Sequence, residues 1–82
     1  MVRVRVLAFA AVRDLLGEHR LEIELEDGSR VGAAWDRLAA GHERLAALRP
    51  SVRVARNGRI VSFEERIADG DELALLPPVG GG

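Results

Sequence analysis

Ser29-Arg30-Val31-Gly32-Ala33-Ala34-Trp35-Asp36-Arg37-Leu38-Ala39 is the stretch whose reading decides the fold. Val31, Ala34, Trp35, Leu38 and Ala39 fall at i, i+3, i+4, i+7 and i+8, the single apolar stripe of a helix lying on a core. Ser29 carries an N-cap side chain, and Gly41 ends or kinks the helix. On the N-terminal side, Val2, Val4 and Val6 alternate with Arg3 and Arg5. Leu21, Ile23 and Leu25 alternate in the same way with Glu22, Glu24 and Glu26. Period two marks both runs as strands. Between them Val12, Leu15 and Leu16, closed by Gly17, read as a short helix with a glycine stop. On the C-terminal side, Leu45 and Leu48 mark a helical turn before Pro50, and Val52-Arg53-Val54 alternates as a third strand. Asn57-Gly58 is a strong hairpin signal, with Ile60 and Val61 starting the return. A turn at Asp69-Gly70-Asp71 leads into a last strand, Leu73 to Leu76, stopped by Pro77-Pro78.

The order is ββαββ. One amphipathic helix covers only one face of a sheet, so the expected class is α+β in two layers. If the first and last strands pair in the middle, the result is a β-grasp, a mixed sheet with one main helix packed on one face. Strand order itself is not fixed by the sequence.

Composition narrows the function classes. The 82 residues make one domain, expected over residues 1–78, with 79–82 as a glycine tail. A net charge of −1 lacks the basic excess that nucleic acid or a membrane surface asks for. Cys is absent, which removes disulfides, thiolate nucleophiles and cysteine-bound metals. All 12 basic residues are Arg, so there is no Schiff-base lysine and no side-chain amine to modify. No apolar run approaches the ~20 residues of a membrane span, and a cytoplasmic protein is the default expectation.

The face away from the helix is read by parity. Val2, Val4, Val6 and Ala8 face the core, while Arg3, Arg5, Leu7 and Phe9 face away. On the last strand Leu73 and Leu75 take the core side, and Glu72, Ala74 and Leu76 the open one. Leu7, Phe9, Ala74 and Leu76, with Ile60 nearby, form an apolar patch beside the start of the tail. Such a patch marks a partner surface, or is covered by loops in so small a domain.

Candidate chemistry within the domain is sparse. His19 and His42 lack metal-ligand spacing and read as solvated imidazoles. Ser29, Ser51 and Ser62 have no nucleophile-elbow context and read as caps or turns. Glu22, Glu24 and Glu26 read as a solvated sheet edge, and Glu64-Glu65 and Asp69-Asp71 as turn residues rather than a metal site. Arg3, Arg5 and Arg53 would make a basic stripe, without the aromatic interleaving of a nucleic-acid surface.

The tail, Pro77-Pro78-Val79-Gly80-Gly81-Gly82, is either an inert end or the chemical site. Diproline stiffens the exit from the last strand, and glycines without side chains thread a narrow tunnel in another protein. The only group at the tip is the carboxylate of Gly82. Adenylated by ATP it becomes a mixed anhydride, from which a sulfur or amine nucleophile displaces AMP.

Four segments carry a resemblance to a known family: Phe9-Ala10-Ala11-Val12-Arg13-Asp14-Leu15-Leu16-Gly17; Arg56-Asn57-Gly58 leading into Ile60-Val61-Ser62-Phe63; Asp69-Gly70-Asp71-Glu72; and Pro77-Pro78-Val79 before Gly-Gly. The chain resembles the small, sulfur-carrying subunit of molybdopterin synthase, the MoaD-type ubiquitin-like proteins. Gly80 departs from the pattern, standing where the family commonly has Thr. The resemblance implies that Gly82, preceded by Gly81, is adenylated by an E1-like adenylating enzyme using ATP and then thiocarboxylated by a sulfur donor. It implies that the tail (Pro78, Val79, Gly80) enters the large subunit of molybdopterin synthase and delivers sulfur to cyclic pyranopterin monophosphate. It implies docking through Phe9, Ile60 and Leu76, no cofactor or metal bound by this chain, and no nucleic-acid or membrane partner. Sister carriers for thiazole, tRNA thiolation or cysteine synthesis share the fold and the tail. A protein modifier conjugated through Gly82 shares them too.

Overall fold

The computed structural model describes residues Met1–Pro77. The elements are β1 (Val2–Ala8), α1 (Ala10–Leu16), β2 (Arg20–Leu25), α2 (Val31–Ala39), α3 (Glu43–Ala46), a 3-10 turn (Arg49–Ser51), β3 (Arg53–Arg56), β4 (Arg59–Val61) and β5 (Glu72–Leu76). The strands form one sheet in the order β2-β1-β5-β3-β4. The parallel β1–β5 pair is flanked by antiparallel partners, so the first and last strands do meet in the middle. The hairpin return is a strand in its own right, which makes five strands where the ββαββ reading has four. The sheet is mixed, with α2 as its main helix, and the class is α+β, a ubiquitin-like β-grasp.

The core is the stripe of α2 pressed on one face of the sheet. Val31, Ala34, Trp35, Leu38 and Ala39 are all buried, against Val4 and Val6 of β1, Val54 of β3, and Leu73 and Leu75 of β5. Trp35 is 2% exposed, and a buried aromatic of this size is worth about 3–5 kcal/mol on truncation to alanine. Gly17 ends α1 in the left-handed region (φ 82), its N–H bonding Arg13 O at 2.8 Å. Asn57 and Gly58 both have positive φ (50 and 87), the geometry of a type I′ hairpin that matches strand twist.

Ser29 does not cap α2. The N-cap position is Arg30, without a side-chain cap, and the Ser29 hydroxyl donates to Glu26 O at 2.7 Å, closing the Asp27-Gly28 turn. The first-turn N–H groups are satisfied by main chain arriving from another direction. Val31 N donates to Glu65 O (2.8 Å) and Gly32 N to Phe63 O (2.9 Å). A tertiary strap replaces a local cap, and nothing in the local sequence announces it. Gly32 makes that close approach possible, since a Cβ there would sit 3.4 Å from Phe63 O and 3.3 Å from Arg49 Nη2. Phe63 in turn packs edge-on against Trp35 (6.4 Å) under the Arg49 guanidinium (4.6 Å).

Two of the family-like segments meet in space. Asp71, 6% exposed, accepts hydrogen bonds from Arg56 Nε (2.6 Å), Asn57 Nδ2 (2.9 Å) and Ala68 N (2.7 Å). Arg56 Nη1 also donates to Glu65 (3.2 Å). Asn57 pairs with Glu72 through both its main-chain N–H (2.8 Å) and its side-chain Oδ1 (2.9 Å). Burial alone would push the Asp71 carboxyl up. The Ala68 N–H, then Arg56 and Asn57, outweigh it and hold the group below the ordinary carboxylate range. This lock ties the β3–β4 hairpin to the start of β5.

Candidate functional site

The face of the sheet turned away from α2 is built from strand parity. The cross-strand partners Leu7–Ala74, Ala74–Ala55 and Ala55–Ile60 make one apolar row over β1, β5, β3 and β4. Phe9 is still extended (φ −128, ψ 153), so it continues the alternation of β1 onto this open face. One step past the Ala8–Leu75 pair, it falls opposite Leu76. Leu7, Phe9, Ala74 and Leu76 are half-buried, and Ile60 is 51% exposed. Phe9, Ile60 and Leu76 thus lie on one face, at the end where β5 runs into Pro77. Pro78, Val79, Gly80, Gly81 and Gly82 lie outside the described residues, as does the domain boundary after residue 78.

Three features of this face escape the sequence reading. His19 is exposed, as read, yet engaged: its Nδ1 sits 2.7 Å from Ala8 O, and its ring meets Phe9 edge-on at 5.1 Å. A carbonyl only accepts, so Nδ1 carries the proton there. Ala55 sits between Ala74 and Ile60, 8% exposed yet outside the core cluster. Counting back from the Asn57-Gly58 turn would have placed it opposite Ile60. Ala10, directly after Phe9, has φ 48, a left-handed backbone that strains a side-chain-bearing residue. That turn lifts the chain out of β1 into α1 and leaves Phe9 at the corner. His42 is exposed and caps nothing with its side chain.

The opposite end of the same face is charged. Arg3 pairs with Glu24 (3.4 Å) and Arg5 with Glu72 (3.9 Å), while Glu22 is the cross-strand partner of Arg5. The expected basic stripe of Arg3, Arg5 and Arg53 is therefore not formed: a carboxylate faces each of the first two, and Arg53 lies beside Leu76 at the other end. The acidic turns are likewise engaged, Glu64 by Arg30 (3.2 Å), Glu65 and Asp71 by Arg56, and Asp69 by the N–H of Arg3 (2.8 Å). Among the described residues no three acidic or His side chains gather as a metal site, and no helix is long and apolar enough to cross a membrane. What the described residues offer is an open sheet face, charged at one end and apolar at the end where β5 runs into Pro77.

Known proteins resemble this chain in sequence and fold. A molybdopterin synthase sulfur carrier subunit from Mycobacterium tuberculosis is 39% identical over 83 residues, with both chains covered in full. The small archaeal modifier protein 1 of Haloferax volcanii is 34% identical, covering 90% of this chain and 94% of its own. Among solved structures, a putative molybdopterin converting factor subunit 1 from Pyrococcus furiosus superposes with a TM-score of 0.86 at 36% identity, covering 96% of this chain and all of its own. A complex of subunits 1 and 2 of the molybdopterin-converting factor from Helicobacter pylori matches with a TM-score of 0.67 at 26% identity, over 99% of this chain and all of the matched one. The ThiS family matches residues 6–82. With the family model spanning residues 6–82 and a relative 39% identical over the full length of both chains, the chain belongs to the ThiS family.

Proposed function

We propose that this chain is the sulfur carrier of a molybdopterin synthase. The observation that carries the reading is end-to-end similarity to a relative named as that subunit, 39% identical with neither chain overhanging. The Gly82 carboxylate attacks ATP, releases pyrophosphate and becomes an acyl-adenylate on an E1-like enzyme. Hydrosulfide released by a sulfur donor displaces AMP, forming the C–S bond as the acyl–phosphate bond breaks, and leaves a thiocarboxylate. The β-grasp domain docks through Phe9, Ile60 and Leu76 on the large subunit, and Pro78, Val79 and Gly80 lead Gly81-Gly82 into its pocket. There the sulfur passes to cyclic pyranopterin monophosphate, and water restores the carboxylate. The complex of subunits 1 and 2 from Helicobacter pylori supports a large-subunit partner. The domain needs no catalytic side chain of its own, in keeping with the absence of Cys and Lys.

A second reading rests on the archaeal modifier relative at 34% identity: attack on the same adenylate by a lysine amine of another protein would give an isopeptide. Intact mass after incubation with the activating enzyme, ATP and a sulfide source separates the two. Exchange of one oxygen for sulfur at the C-terminus, followed by conversion of the pterin substrate with the large subunit, supports the carrier. Conjugates to lysines with no thiocarboxylate would replace it with the modifier.

A further inference from the structure

The charges on the open face are distributed unevenly along the strands. At the end remote from the tail, Arg3 and Arg5 face Glu22, Glu24 and Glu72, three carboxylates to two guanidinium groups, so that end carries no positive excess. At the tail end two arginines border the apolar row. Arg20 of β2 is the cross-strand partner of Leu7, and Arg53 of β3 is the partner of Leu76. Both are exposed, and among the described residues neither makes an ion pair. Three inter-strand steps and two residues of strand separate them, about 16 Å between backbones at ordinary sheet spacing.

A guanidinium left without a partner beside a closing apolar interface loses water and gains nothing. A partner that covers Leu7, Ala74, Leu76 and Ile60 reaches both arginines at its rim. We propose that the tail end of the open face docks on a protein surface with an apolar centre and carboxylates placed opposite Arg20 and Arg53. The two arginines then act as specificity determinants, steering the approach and rejecting apolar surfaces with basic rims. The remote end, by contrast, with three glutamates to two arginines, offers an incoming carboxylate no attraction. This deepens the carrier reading and rests on it, with the large synthase subunit as the occupant.

The test measures binding of the full chain to the large subunit from the same source at low and high salt, for wild type, Arg20→Glu, Arg53→Glu and the control Arg44→Glu on α3. Arg20→Gln and Arg53→Gln serve if a glutamate disturbs folding, which circular dichroism reports. We expect each reversal to weaken binding about tenfold at low salt, mainly through slower association, with the gap narrowing as salt is raised. Arg44→Glu should bind like wild type. Unchanged binding by both reversals at low salt, or a loss that is the same at every salt concentration, overturns the carboxylate rim while leaving the carrier reading intact. Failure of the wild-type chain to bind the large subunit overturns the carrier reading itself, and the rim with it.

Discussion

Replacing Asp71 tests the physical account of the fold most directly. Its carboxylate takes three hydrogen bonds, from Arg56 Nε, Asn57 Nδ2 and Ala68 N–H, at 6% exposure. Neutral bonds of this kind contribute about 1 kcal/mol each and a charged one roughly 1.5–3. Arg56 keeps its side chain 26% exposed and recovers some hydration, so Asp71→Ala should cost about 2–3 kcal/mol. That is a large part of the roughly 4–12 kcal/mol expected for a domain of this size. Trp35, the single tryptophan and 2% exposed, reports unfolding in urea by its fluorescence. The pH dependence supplies the sharper arm. Because the folded carboxyl is held below its ordinary range, its stabilisation is complete above the unfolded pKa of about 3.9 and is lost as pH falls through the lower native value. The gap between wild type and the near-isosteric Asp71→Asn should therefore be widest near neutrality and close below about pH 4. A loss under about 1 kcal/mol for the alanine variant at neutral pH, or an asparagine gap that does not shrink in acid, would refute the lock as a charged anchor.

Phe9→Arg should weaken docking on the large subunit by more than about tenfold while titrating in urea much as wild type does, because Phe9 is half-buried on the open face; global unfolding of the variant would place Phe9 in the core instead. Removing Gly82 should abolish thiocarboxylate formation and leave the urea midpoint unchanged, since the described core closes at Leu75, and a shifted midpoint contradicts this. Ala10→Gly relieves a left-handed backbone at φ 48 and should raise stability by about 0.5–1 kcal/mol; a fall in the urea midpoint would show that the turn is unstrained.

Most of the fold is legible because its elements are encoded locally. The alternation of Val2, Val4 and Val6, the stripe from Val31 to Ala39 and the Asn57-Gly58 turn each fix an element without help from the rest of the chain. The cap of α2 is not legible, because Val31 and Gly32 find their acceptors at Glu65 and Phe63, some thirty positions away. Ser29 stands one residue before the N-cap position, which Arg30 takes, and its hydroxyl donates to the Glu26 carbonyl in the preceding turn. The strand return at Arg59–Val61 is only three residues long, too short for alternation to declare itself. The apolar row of the open face follows from parity, but its arginine border does not. Arg20 and Arg53 join that surface only when the register pairs them with Leu7 and Leu76.

The segments that look most distinctive in the sequence do two separable jobs. Arg56-Asn57-Gly58 and Asp69-Gly70-Asp71-Glu72 carry the carboxylates, amides and guanidinium that usually announce chemistry, yet they bind one another and hold Ile60's hairpin against the strand that leads to the tail. The face suited to a partner is made of Leu7, Phe9, Ala55, Ile60, Ala74 and Leu76, side chains with no chemistry of their own. Disturbing the lock should therefore impair docking only as far as it loosens the hairpin. Disturbing the face should impair docking in a domain that still unfolds cooperatively. On the carrier reading proposed above, this separation has a use: the face can be matched to a partner without loosening the hairpin, and the lock can hold the fold without taking part in recognition.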